Sequence, residues 1–257
     1  MKLRLAFALL LSLFASVALA QWQLLPGLAT DIGVGARGDA WVIGIERVEG
    51  GNAIYRWTGS DWQIVPGGAV RIDVSPDGTP WVINSEHHIF RLRGGGWERL
   101  PGLARDIGVG PNGSAWVVGI TPTAGGFTIH RWNGSNWDVV PGGAVRIDVG
   151  ARGEPWVVND RDEIFQLTPA NQWQLIASPA TSVTIANNGT VWALGTDRVP
   201  GGHSVQHQDA RGWRRVEGGA VALSAGAVPW LINSENQIFR WDGAQKSQRL
   251  RNINERR

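Results

Sequence analysis

Residues Trp62 to Leu92 read W-Q-I-V-P-G-G-A-V-R-I-D-V-S-P-D-G-T-P-W-V-I-N-S-E-H-H-I-F-R-L, and the same pattern returns from Trp137 to Leu167. Within it, Pro66 to Val74 recurs letter for letter at Pro141 to Val149. A weaker copy begins at Trp213 and ends in N-S-E-N-Q-I-F-R-W at Asn233 to Trp241. Two tryptophan series run through these copies. One is Trp22, Trp62, Trp97, Trp137, Trp173 and Trp213; the other is Trp41, Trp81, Trp116, Trp156, Trp192 and Trp230. The intervals in the first series are 40, 35, 40, 36 and 40 residues, which makes six units in three long-short pairs. Self-similarity at this period means a modular array, in which each unit buries its apolar face against the next.

Each unit reads as four short strands. The first alternates apolar positions, as at Ile72 and Val74, and a Gly turn (Pro76 to Thr79) follows it. Trp81-Val82-Ile83 is the second strand, Ile89 to Leu92 the third, and the fourth starts at Trp97. Four antiparallel strands repeated about an axis predict an all-β fold, a six-bladed β-propeller. The last unit lacks a fourth-strand tryptophan near Lys246, whereas Gln21-Trp22-Gln23-Leu24-Leu25 is a fourth strand with nothing before it. The N-terminal strand is therefore expected to complete the last blade and close the ring, which removes a free sheet edge. One face is expected to carry long loops in blades one, three and five (45–52, 120–127 and 196–203) alternating with tight turns such as Asn84 to His87. Loops on a rigid scaffold are where binding concentrates.

Lys2 and Arg4, the apolar run Leu5 to Val17 and Ala18-Leu19-Ala20 have the form of a secretory signal peptide; an uncleaved N-terminal anchor is the other reading. The expected division is a signal peptide at 1–20, the propeller at 21–245 and a basic tail at 246–257. The mature chain is expected to be periplasmic or secreted, with no membrane span after cleavage. There is no cysteine, so an exported chain of this kind rests on packing alone. Of the formal net charge of +2, the first twenty residues carry +2 and the tail carries +4, which leaves −4 on the body. That balance argues against nucleic acid as a partner.

The motifs V-P-G-G-A-V-R-I-D-V, D-G-T-P-W-V-I-N-S and N-S-E-N-Q-I-F-R-W resemble the tectonin repeat, in six copies from Gln21 to Trp241. The resemblance implies a β-propeller and, for many members, a lectin that binds glycans such as lipopolysaccharide or O-methylated sugars. Other members are interaction domains, which here would mean an envelope protein as partner. Blade five departs from the pattern, with Ser182 and Thr184 in its first strand and Ser204 to His207 in its third. Blade six lacks the Arg-x-Asp of blades two and four. Repeated sites are therefore expected to be intact in the first two pairs.

Candidate binding residues follow from the repeat. Asn84, Asn159 and Asn233 end their second strands on the loop-rich face, either as turn residues or as amides that meet sugar hydroxyls, helped by Arg91 and Arg240. Trp62 and Trp137 belong to the outer tryptophan series, whose faces suit sugar stacking, while the inner series is expected to be core. Arg71 with Asp73, and Arg146 with Asp148, point to one side of their strands. They are expected to pair across neighbouring blades near the axis, with a channel ligand as the other reading. No cofactor, metal or catalytic residue is expected. No acid, nucleophile or metal cluster breaks the repeat, Ser75 to Trp81 only partly resembles a structural Asp box, and His87 and His88 are adjacent and so face opposite ways.

Overall fold

The computed structural model describes residues 22–150, 152–177 and 179–242. The expected signal peptide, Gln21 and the basic tail lie outside these residues. The described chain is all-β apart from one turn of 3-10 helix at Pro111–Gly113. Its strands are β1 (Trp22–Val34), β2 (Ala40–Val48), β3 (Gly51–Trp57), β4 (Trp62–Ala69), β5 (Arg71–Val74), β6 (Pro80–Ile83), β7 (His88–Arg93) and β8 (Gly96–Val109). They continue with β9 (Ala115–Thr123), β10 (Gly126–Trp132), β11 (Trp137–Ala144), β12 (Arg146–Val149), β13 (Pro155–Val158), β14 (Ile164–Leu167) and β15 (Trp173–Ala177). The last are β16 (Ser182–Ile185), β17 (Val191–Val199), β18 (Gly202–Asp209), β19 (Gly212–Ala220), β20 (Ala222–Ala225), β21 (Pro229–Ile232) and β22 (Gln237–Trp241).

Neighbours in sequence pair antiparallel, giving two four-stranded sheets and two of seven strands. The larger sheets arise because β1 and β8 each serve two neighbours. Residues Trp22 to Leu28 of β1 pair with β22, and Ala29 to Val34 pair with β2. Likewise β8 pairs with β7 through Leu103 and with β9 from Ala104 onward. The handover falls at Pro-Gly, where Gly27 and Gly102 have φ of 87° and 82°, a backbone setting that favours glycine. The P-G-G segments are part of the strands; β4 and β11 run through theirs to Ala69 and Ala144.

The three expected long loops are also strand. Arg47 pairs with Asn52, Thr123 with Gly126 and Arg198 with His203, so each is the tip of an extended hairpin closed by a tight Gly-containing turn. Each tip bends over the following tight turn. The carbonyls of Gly50, Gly125 and Gly201 accept the amides of Ser85, Asp160 and Ser234 at 2.8, 3.1 and 2.8 Å. In return, the left-handed residues His87, Asp162 and Asn236 offer carbonyls to the amides of Ala104, Ala180 and Ala29. This alternation is the physical content of the long-short pairing.

The core lies between neighbouring units of the repeat rather than within one. Trp41, Ile43 and Ile54 pack with Ile72, Val74 and Val82, and the other clusters repeat that arrangement. The inner tryptophans are 1–6% exposed, as expected of a core series. The outer series is half-buried and latched: the indole N–H groups of Trp62, Trp97, Trp137 and Trp173 donate to the carbonyls of Pro26, Pro66, Pro101 and Pro141 at 2.7–2.8 Å. The glycine after each proline leaves room for the indole. A Cβ on Gly67 would stand 2.8 Å from Trp97 Nε1, so Gly67→Ala is expected to cost about 1–3 kcal/mol through crowding and its φ of 130°. Chemical denaturation checks this. Removal of residues 22–27, which strips β22 of its partner, is expected to lower the melting temperature by several degrees, and calorimetry on the truncated chain reads it.

Candidate functional site

At the axis, the first strand of each unit hands a side-chain acceptor to the backbone of the next. Asp31 accepts the Ile72 amide at 2.8 Å, Asp73 that of Val109 at 2.6 Å and Asp106 that of Ile147 at 2.9 Å. Asp148 accepts from Ile185 at 2.8 Å, Thr184 Oγ1 from Ala225 at 3.1 Å and Ser224 Oγ from Val34 at 3.0 Å. These six links return to the strand they started from. Arg71 lies between two of the acids, 2.9 Å from Asp31 and 2.5 Å from Asp106. The expected pairing across neighbours therefore holds for Arg71, whereas Arg146 donates to its own neighbour's carbonyl, Val145 O, at 3.3 Å. The channel is narrow, with about 40 Å³ of free volume at its larger opening.

Burial governs the electrostatics here. It pushes the Asp148 carboxyl up to about 6 and, joined by the charge of Asp148, pushes Asp73 well above its ordinary value. Burial also raises Asp31 against the pull of Arg71. Although burial disfavours its charge, Asp106 and Asp31 hold Arg71 above its ordinary range.

The asparagines serve their turns. Asn84 Oδ1 accepts the amides of Glu86 and His88, Asn159 Oδ1 those of Arg161 and Glu163, and Asn233 Oδ1 those of Glu235 and Gln237. Two also use Nδ2, Asn159 toward Glu163 and Asn233 toward Gln237. All three are 7–8% exposed. Arg91 and Arg240 sit directly across from inner tryptophans, with guanidinium carbons 5.1 Å from the Trp81 ring and 5.8 Å from that of Trp230. Arg91 also binds Glu98 at 2.7 Å and Arg240 binds Gln23 at 2.7 Å. In the fifth unit of the repeat, His207 takes the arginine's place and stacks on Trp192 at 4.8 Å.

Among the described residues, two cavities open between neighbouring units of the repeat, and they occupy the same place in it. One, of about 370 Å³, is lined by Gly27 and Ile238 on one side and by Val42, Tyr55 and Trp62 on the other. The second, of about 260 Å³, has Gly142 and Ile129 facing Val157, Phe165 and Trp173. Position by position these match: the glycine after proline, the third-strand isoleucine, the residue after the inner tryptophan, the third-strand aromatic and the outer tryptophan. Of the expected site residues, Trp62 lines the first cavity and Asn159 the second. Tyr55 and Phe165 were not singled out from the sequence, although each directly follows the third-strand isoleucine, which was the available signal. Such concave, mostly apolar places with a few polar groups are what small ligands use.

The channel carboxyls give a pH dependence. Between the ordinary value of 3.8 and about 6, the folded chain holds a proton at Asp148 that the unfolded chain releases. Its stabilising contribution is therefore present below 3.8 and lost as pH rises through 6, a change of up to about 3 kcal/mol. His130 acts in the opposite sense, since burial holds it below 6.5 and its contribution is lost as pH falls. Asp148→Asn is expected to flatten the decline of melting temperature between pH 4 and pH 6.5 relative to the parent. Parallel thermal melts read the difference.

The fold has solved counterparts. It is similar to YCF48 bound to D1 peptide, with a TM-score of 0.53 and 15% identity, covering 82% of this chain and 76% of that one. It is similar to YCF48 from Cyanidioschyzon merolae at a TM-score of 0.53 and 15% identity, over 86% of this chain and 98% of that one. The WD40 beta propeller domain of Doa1 aligns at a TM-score of 0.56 and 11% identity, over 86% and 97%. These likenesses establish a propeller-type fold. No curated protein matches the sequence. The family model of the Tectonin domain matches residues 77–249, two thirds of the chain, and so this propeller protein belongs to the tectonin family.

Proposed function

We propose that the chain is an exported, six-bladed propeller closed by its N-terminal strand, and that it binds carbohydrates at several places between blades. The ligands would be cell-surface or lipopolysaccharide sugars, O-methylated ones included. The observation that carries this reading is the repetition of one pocket at two blade interfaces, each with a tryptophan and a second aromatic at matching positions. Aromatic faces suit the C–H surfaces of sugars. The sites are open and shallow, so each binds weakly, and their number on one rigid ring supplies avidity. Export rests on the Lys2 to Ala20 segment. No catalytic role is assigned to any residue.

A polypeptide partner in the cell envelope is the second reading, favoured by the likeness to YCF48 bound to D1 peptide. A glycan array with the chain from Gln21 to Arg257 separates the two. A family of related sugars is expected to bind; a blank from folded protein favours the polypeptide. The double variant Asn84→Ala with Asn159→Ala is expected to lose part of the glycan binding, at least at the interface where Asn159 lines the cavity, and calorimetric titration measures the fall in sites per chain.

A further inference from the structure

The two matching pockets share a shape but not a charge. In the larger one, Glu46 stands five residues after the inner tryptophan Trp41; in the smaller, Arg161 stands five residues after Trp156. Asp61 precedes the outer tryptophan in the first, and Gln172 precedes it in the second. Among the described residues that line the larger pocket, both charged groups are carboxylates and none is a lysine, arginine or histidine.

We infer that the larger pocket, between β1 and β22 on one side and β2 to β4 on the other, is specific for a cationic group, the protonated amine of an amino sugar. This rests on the carbohydrate reading above and names the class of sugar at one interface. The chain's single tyrosine, Tyr55, provides a ring in the wall, and its hydroxyl donates to Glu46 Oε2 at 3.2 Å. That bond holds one carboxylate beside the aromatic surface. Asp61 is fixed on the other flank, where its Oδ1 accepts the Trp62 amide at 2.8 Å. Trp62 is oriented by its bond to Pro26 O. An ammonium group between a tyrosine, a tryptophan and two carboxylates gains both ring and ion-pair attraction. Leu28 and Ile45, 44% and 49% exposed at the lip, offer apolar contact to the rest of the ring. The smaller cavity balances the carboxylate of Glu163 with the cation of Arg161, so the unbalanced acidic charge is a property of this interface and not of the repeat.

The test is a calorimetric titration of the full chain at pH 6.5 with three probes: methyl 2-amino-2-deoxyglucoside, neutral methyl glucoside, and choline. The amino glycoside is expected to bind about five-fold or more tightly than the neutral one. In the double variant Glu46→Gln with Asp61→Asn that preference is expected to fall to within about two-fold, while affinity for the neutral glycoside and the melting temperature hold. Equal binding of the two glycosides by the parent, or an unchanged preference in the variant, overturns the inference and leaves the carbohydrate reading standing. Choline binding that the double variant weakens, with neither glycoside bound, overturns the carbohydrate reading and keeps the pocket's preference for a cation. Silence from all three probes overturns the assignment of this pocket as a cation site.

Discussion

Everything in this protein depends on one interaction, repeated with substitutions: a short polar side chain on an inner strand accepts the backbone amide of the next inner strand. Inner strands of a propeller crowd at the axis, where a free amide would be buried without water to satisfy it. Asp31, Asp73, Asp106 and Asp148 answer that demand with carboxylates, and Thr184 and Ser224 answer it with hydroxyls. The carboxylates bring a cost of their own, since several charges then share one narrow channel. Arg71 offsets two of them, while burial first, and then the neighbouring carboxylates, raise Asp73 and Asp148. Hydroxyl links avoid that cost, so the neutral side of the ring achieves the same closure without a counter-ion.

A second device works at the rim. The outer tryptophan of one unit donates to the carbonyl of a neighbouring unit's proline, and the glycine that follows makes space for its ring. The same geometry creates the cavities, because the latched indole and the third-strand aromatic stand apart above the bare glycine. Structural and binding uses of these tryptophans are therefore compatible: the N–H edge is committed, while the ring remains half-buried.

The repeat made the order and type of strands legible before any coordinates, because tryptophan spacing, alternation and Gly turns all pointed the same way. The inner tryptophans were legible as core for the same reason. The hairpins at 45–52, 120–127 and 196–203 were not, since their polar, Gly-Gly sequences look like loops and are held as strand by the carbonyl bonds of Gly50, Gly125 and Gly201 to a neighbouring unit. Nor was the handover within β1 and β8, which depends on strands continuing through a Pro-Gly step. Within the candidate site, Asn159 and Trp62 were visible as repeated residues, but the cavities arise from two units meeting, and a wall shared by residues about 200 positions apart, such as Ile238 and Val42, leaves no local signal.

The hairpin tips also govern how such a chain can change its length. A long tip requires a tight turn beside it to donate an amide to its carbonyl, and that turn in return supplies a carbonyl to an amide of the strand beyond. Loss or gain of one unit would set two long tips, or two tight turns, side by side with groups that have nothing to meet. Parity is thus built into the array: growth and loss by duplication can proceed only in double steps of about 75 residues, the spacing at which Pro66 to Val74 is copied intact.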